Sequence, residues 1–491
     1  MSPLRSSLAA LVAAAAVFAA GCGSDNAQRR SLALTDCRLP NLATAAQCGE
    51  LEVPEDRDRP DGRKLRIFAA VLPANTLTPR DDPLLVLAGG PGQAASFLAP
   101  FATRLAELRR TRDIVLVDQR GTGRSSPLAC QAFKPRDDDV FETDPVPRAR
   151  QCAQELAAQG IDAAQYTTTA WIADLEAVRK ALGYPRWNVW GGSYGTRVAQ
   201  EYLRRHPDAI RTVTLDGVAP PAMVITLDVW RTREAALEAV FDACAASPSC
   251  RRAHPDVAGT LARVEHALGT TGRDLAIVDP RTGAVERHRV TFDVVLAALQ
   301  PLTYTPETVS LLPEMLSLAA GGELAPLFAA NPALSGNLAE QMNAALHFSV
   351  TCAEDVPRIR PGSERDVLAG LPSRRLAEQT IAVCDVWPRG RMPADFADPV
   401  RSDKPVLLLS GGMDPVTPPA YGTAVAKGFP NGRHVIAPGY GHIVSPHACA
   451  PRLLGAFVDA GSVAALPEAC IARLERSVRP PLWPDRLGPQ P

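Results

Sequence analysis

The chain has 491 residues, 46% of them hydrophobic and 21% charged, with a formal net charge of -1 at pH 7. Such a composition excludes a disordered chain, and its charge balance gives no electrostatic ground for binding nucleic acid. The length exceeds what one hydrophobic core usually fills, so a core with an insertion or second domain is expected.

Residues 1–22 read as a lipoprotein-type signal peptide. Arg5 supplies the positive charge, and the apolar run from Leu8 to Ala20 is short for a membrane-spanning helix. The small residues Ala19-Ala20-Gly21 stand directly before Cys22, which resembles a bacterial lipobox with Cys22 as the lipid attachment site. Cleavage near Ala20 for ordinary secretion is the alternative. There are eleven cysteines, an awkward number for an exported chain, and setting Cys22 aside leaves ten. These fall into neighbours along the chain: Cys37/Cys48, Cys130/Cys152, Cys244/Cys250, Cys352/Cys384 and Cys449/Cys470. That pairing is expected for the disulfides, and a lipid anchor at the periplasmic or extracellular face of the cell envelope is expected for the chain.

A leader, residues 23–50, precedes the first strands. Leu51 to Pro54 and Lys64 to Leu72 read as strands joined by a turn over Asp56 to Gly62. The apolar runs Leu84 to Leu87 and Ile114 to Val117 end in glycine-rich loops, Ala88-Gly89-Gly90-Pro91-Gly92 and Asp118-Gln119-Arg120-Gly121-Thr122-Gly123. Helix periodicity covers Thr169 to Leu182, with Ile172, Leu175, Val178 and Leu182 on one face. A strand at Trp187 to Trp190 then leads through Gly191-Gly192-Ser193-Tyr194-Gly195 into a helix from Thr196 to Arg205 and a strand from Thr212 to Leu215. Strands that end in glycine loops and alternate with helices predict a mostly parallel α/β sheet. Its chemistry should gather at the carboxyl ends of the strands.

The strand rhythm stops near Pro220-Pro221 and resumes at Val406 to Leu409. Between them Leu237, Val240, Phe241 and Cys244 share one helix face, and Val294, Leu296, Leu299 and Leu302 suggest another. Residues 222–400 are expected to form a large helical cap inserted between strands six and seven. The core is thereby divided into residues 51–221 and 401–491, and the Pro480 to Pro484 tail reads as a capping extension.

Placed between a strand and a helix, Gly-Gly-Ser-Tyr-Gly predicts a sharp turn that lifts the Ser193 hydroxyl above the sheet edge. Serine is a weak nucleophile that needs an adjacent base, itself oriented by a carboxylate. Asp414 follows the Val406 to Leu409 strand, and His442 follows the strand-like His434-Val435-Ile436, giving the order serine, acid, histidine. Asp216, at the end of the preceding strand, is a rival acid, and His447 is a rival base. The N-H groups of Tyr194 and of Gly90, in the loop after Leu87, are expected to hold an oxyanion. The Gly89 to Gly92 loop lacks the Lys-Ser/Thr of a phosphate cradle. No Cys-x-x-Cys or Cys/His cluster suggests a metal, and no cofactor is expected.

Leu87-Ala88-Gly89-Gly90-Pro91-Gly92, Val117 to Ser125, Gly191 to Arg197 and Leu215 to Pro220 together resemble the prolyl aminopeptidase and tripeptidyl aminopeptidase (TAP-like) group. The Asp414 and His442 loops continue the likeness, which runs from about Cys48 to Cys470. It implies an α/β-hydrolase fold and a serine hydrolase, exported by the reading of its N-terminal segment, that removes residues from peptide N-termini through an acyl-enzyme on Ser193. It also implies a cap carboxylate for the substrate's free α-amino group. Thr351-Cys352-Ala353-Glu354-Asp355 is similar to the cap motif that supplies it and nominates Glu354. Ala88 stands where prolyl relatives usually carry His. The alternative is an esterase or lipase acting on small acyl esters with the same triad. A peptide is the expected partner, and no protein partner is predicted.

Overall fold

The computed structural model describes residues 31–134, 141–278, 283–328 and 341–477. The signal segment with Cys22 and the Pro480 to Pro484 tail lie outside the described residues.

Nine strands form the main sheet: β1 (Thr35–Cys37), β2 (Ala46–Pro54), β3 (Lys64–Leu72), β4 (Leu84–Leu87), β5 (Ile114–Val117), β6 (Trp187–Gly192), β7 (Ile210–Asp216), β10 (Val406–Gly411) and β11 (Gly432–Ala437). β8 (Arg273–Val278) and β9 (Val285–Val290) pair separately as an antiparallel hairpin. The spatial order of the sheet is β1-β2-β3-β5-β4-β6-β7-β10-β11. β1, β2, β3 and β5 pair antiparallel, and every pairing from β5 onward is parallel.

Central strands are apolar on both faces because both faces are covered. In β4, Leu84 and Val86 enter one hydrophobic cluster while Leu85 and Leu87 enter the other, as a period of two requires. On the Leu85 side lie α1 (Thr168–Leu182) and α2 (Tyr194–Arg205), through residues such as Leu175, Val178 and Val198. On the other side pack Leu453, Leu454 and Phe457 of the helix Ala450–Ala460. α1 starts where the Thr167 hydroxyl accepts the Ala170 N-H and stops at Gly183, whose φ of 75° ends the helix in the left-handed region.

Between β7 and β10 the chain leaves the sheet. α3 (Ile225–Ala246) and the helices that follow bury Leu237, Val240, Leu261, Leu296 and Leu316 in a cluster of their own, which meets the core at Met413. The stretch is not wholly helical, since the β8–β9 hairpin lies within it. Strand count also shifts by one. Residues read as a polar leader contain β1 and the start of β2, which the Cys37–Cys48 disulfide joins. A three-residue strand such as β1 has too few positions to show a period. All five neighbouring cysteine pairs are bonded as expected. Such usage belongs to an oxidising compartment. No helix among the described residues is long and apolar enough to cross a membrane.

Candidate active site

β6 ends at Gly192 and α2 begins at Tyr194, so a single residue turns the chain between them. Ser193 does so at φ 57° and ψ -125°, a conformation costly for a residue with a side chain. Two glycines make the turn possible. A Cβ at Gly191 would collide with the carbonyl of Gly195, and one at Gly195 with the carbonyl of Leu87. The Ser193 N-H donates to the carbonyl of Asp216 at 2.9 Å, tying the turn to the end of β7.

Asp414 and His442 occupy the loops after β10 and β11 and meet. His442 Nδ1 lies 2.8 Å from Asp414 Oδ2. The same carboxylate accepts from the N-H groups of Val416 and Thr417 at 2.9 and 2.8 Å, and from the Thr417 hydroxyl at 2.7 Å. Burial alone would push the Asp414 carboxyl up, but the facing imidazole and these donors outweigh it and hold it below the ordinary value. Burial would likewise lower His442, and the Asp414 charge and hydrogen bond, with Asp216 behind, overcome it and hold the imidazole above its usual 6.5.

Asp216 has another task than the one its position suggested. It is fully buried and accepts the N-H groups of Val444 and Ser445 at 2.9 and 2.7 Å. The Trp190 indole donates to the Ser445 hydroxyl at 2.9 Å. The ends of β6 and β7 therefore clamp the segment that carries His442. His447 packs against Tyr440 and does not line the cavity that Ser193 faces.

That cavity holds about 600 Å³, with Ser193, His442 and Gly90 in its floor and the cap in its roof. Its walls are mostly apolar, with Phe101, Trp190, Met223, Val229 and Trp230 among them. Ser193 Oγ makes no hydrogen bond to another described residue, and such contacts often tighten only when substrate is bound. Tyr194 is the first residue of α2, so its N-H has no partner within the helix. Gly90 lines the same cavity at φ 107°, on the loop after β4.

Glu354 is the displaced expectation. It closes α4 (Ala344–Glu354) but is 1% exposed and absent from the cavity wall. One oxygen accepts the Thr168 N-H at 2.6 Å and the other the Thr168 hydroxyl at 2.8 Å. The Thr168 hydroxyl in turn lies 2.6 Å from the Tyr194 phenol. Burial raises the Glu354 carboxyl to about 7. The residue sits beneath the site, sealed from an incoming amine, because the helix turns its last residue inward toward α1.

Two lining residues escaped the sequence. His347, on α4, lies 3.3 Å from the Pro91 carbonyl, and burial pushes its imidazole down. Arg233 reaches the cavity from α3, where Thr226, Val229, Trp230 and Arg233 form one face. That spacing was present upstream of the Leu237 to Cys244 stripe, but a mixed polar and apolar face does not announce a core.

The α/β hydrolase fold family model matches residues 82–267, and the TAP-like protein model matches residues 371–470. The first contains Gly90, Ser193 and Tyr194, the second Asp414 and His442; Tyr304, His347 and Glu354 lie between them. The chain is 32% identical over 213 residues to a tripeptidyl aminopeptidase of Streptomyces coelicolor, covering 40% of this chain and 39% of that one. It is 30% identical over 207 residues to serine protease Hip1 of Mycobacterium tuberculosis, covering 38% and 39%. A probable proline iminopeptidase of Streptomyces coelicolor is 36% identical over 141 residues, covering 29% and 34%. The chain thus spans about two fifths or less of the length of these curated relatives. With both halves of its core matched and its sheet mostly parallel as expected, the chain has the α/β-hydrolase fold and carries a TAP-like C-terminal segment.

Proposed function

We propose that the protein is an exported serine peptidase that removes residues from peptide N-termini, with Ser193, His442 and Asp414 as its triad. One observation carries the reading: the 2.8 Å His442–Asp414 pair faces the cavity in which Ser193 stands on its strained turn. The names of the relatives point the same way for substrate class.

In the proposed chemistry His442 Nε2 takes the Ser193 proton as Oγ attacks the scissile carbonyl. Asp414 fixes the tautomer by accepting from Nδ1 and steadies the imidazolium that forms. The Gly90 and Tyr194 N-H groups receive the oxyanion. The imidazolium then protonates the leaving amine, and water, deprotonated by His442, releases the acyl group from Ser193.

The mostly apolar wall, with no carboxylate among its described residues, favours the esterase reading as the second one. A panel of free-amino peptidyl anilides, Nα-blocked anilides and short p-nitrophenyl esters separates the two. Cleavage of free-amino anilides is expected, and turnover of esters or blocked anilides alone would sink the aminopeptidase reading. Ser193→Ala should lower kcat at least about ten-thousandfold, with unchanged melting.

A further inference from the structure

The fully buried arginines of this molecule share a habit that Arg233, half-buried on the cavity wall, does not follow. Arg120 pairs with Asp174 at 2.6 Å, Arg197 with Asp355 at 3.0 Å, and Arg112 with Asp82 at 3.0 Å. Each guanidinium removed from water is met by a carboxylate, which offsets the cost of burying charge. Arg233 lines the cavity, yet no carboxylate meets it among the described residues. Its Nη1 donates to Gln300 Oε1 at 2.7 Å and its Nη2 to the Tyr304 phenol oxygen at 3.1 Å, both neutral. Its Nε is buried and donates to nothing.

These contacts fix the guanidinium close to the reacting groups. The Tyr304 ring stands edge-on to His442 with centroids 5.4 Å apart, and the Tyr304 carbonyl accepts the His442 N-H at 2.9 Å. Arg233 is therefore one tyrosine side chain from the imidazole. Its charge is felt at both His442 and His347, pushing each down. A cation held by neutral partners, in a cavity with apolar walls, lacks a counter-charge that a ligand can bring. Beside apolar walls, where the effective dielectric is lower than in bulk water, a charge-assisted hydrogen bond gains strength.

We propose that Arg233, held by Gln300 and Tyr304, forms a subsite for a substrate carboxylate, either the C-terminal carboxylate of a short peptide or an acidic side chain near the scissile bond. The inference rests on the peptidase reading for its substrate class, but its binding can be tested apart from hydrolysis.

Matched free-amino peptides test it in two arms: trialanine against trialanine amide, and peptidyl anilides with Glu against Gln at each position before the scissile bond. In at least one arm the wild type should favour the carboxylate by about tenfold or more in kcat/KM. Arg233→Met should bring that ratio near unity, and Arg233→Lys should keep part of it. Should the methionine variant fail to fold, Arg233→Gln, which retains hydrogen-bonding capacity, replaces it. Calorimetry on Ser193→Ala with the same peptides, with and without the Arg233 substitution, reads binding alone. No preference for the carboxylate there, or one that survives loss of Arg233, overturns the subsite. A preference that depends on Arg233, in a wild type that hydrolyses none of the panel, supports the subsite and removes the peptidase reading instead.

Discussion

At Ser193 and Asp414, placement was legible in the sequence, because the glycine turn after β6 and the loop after β10 are local features. Glu354 was not, because the inward direction of a helix's last side chain depends on what packs beside it. Each residue carries a prediction. With His442 held above 6.5, the acid limb of kcat/KM should have its midpoint above that value, since the base must be neutral to take the serine proton. Asp414→Asn removes the charge that overcomes burial, so the limb should move to lower pH while kcat falls by about ten-thousandfold. A pH-rate profile of both proteins reads it. Glu354 is predicted to act on stability instead of substrate. Between about pH 4.5 and 7 the folded chain keeps a proton that the unfolded chain has released, so stability falls as pH rises through that window. Glu354→Gln should lack this loss and gain on the wild type from pH 4 to pH 8, by on the order of 3 kcal/mol. Denaturant titrations across that range check it, and its preference among peptides should not change.

Among the elements, the strands of the main sheet were read closely, β3, β4 and β5 to the residue, because each is a largely apolar run ended by turn residues. The cap was read in outline only. Its β8–β9 hairpin alternates weakly, with Val278 and Val285 exposed, and the α3 face that meets the cavity mixes Thr, Val, Trp and Arg. Amphipathic periodicity finds faces that are buried against a core, and a face that lines a cavity obeys another rule. The strand ends also decide more than their own pairing. Asp216 closes β7 and holds the loop after β11 through two buried N-H groups. Asp216→Ala leaves both unsatisfied, which should cost about 1–3 kcal/mol for each group. A slackened base loop should also lower kcat about a hundredfold, as small misplacements of a base do. Melting and kcat measured together test this, and lost melting temperature at full kcat would leave Asp216 with a structural part alone.

For the whole molecule, the fold class and the cysteine pairing were legible: a mostly parallel α/β sheet, with cysteines paired between neighbours. Every disulfide closes a short stretch, the longest joining Cys352 to Cys384 across 32 residues. None ties residues 82–267 to residues 371–470, and these two matched segments meet through the β7–β10 pairing and packed side chains. The anchor is a prediction at this scale, for Cys22 lies outside the described residues. Cys22→Ser is expected to move the protein from the membrane fraction to the soluble one, and an unchanged distribution would argue against lipidation.

The clamp formed by Trp190 and Asp216 on the loop of His442 has a consequence in time. Nucleophile and base belong to stretches of chain separated by the entire cap, and the base is seated only when the strands between them have joined. On the proposed chemistry, a chain still unfolded in transit carries a harmless serine. Hydrolytic power would arrive last, after the sheet has closed, at the place where the folded protein is meant to work.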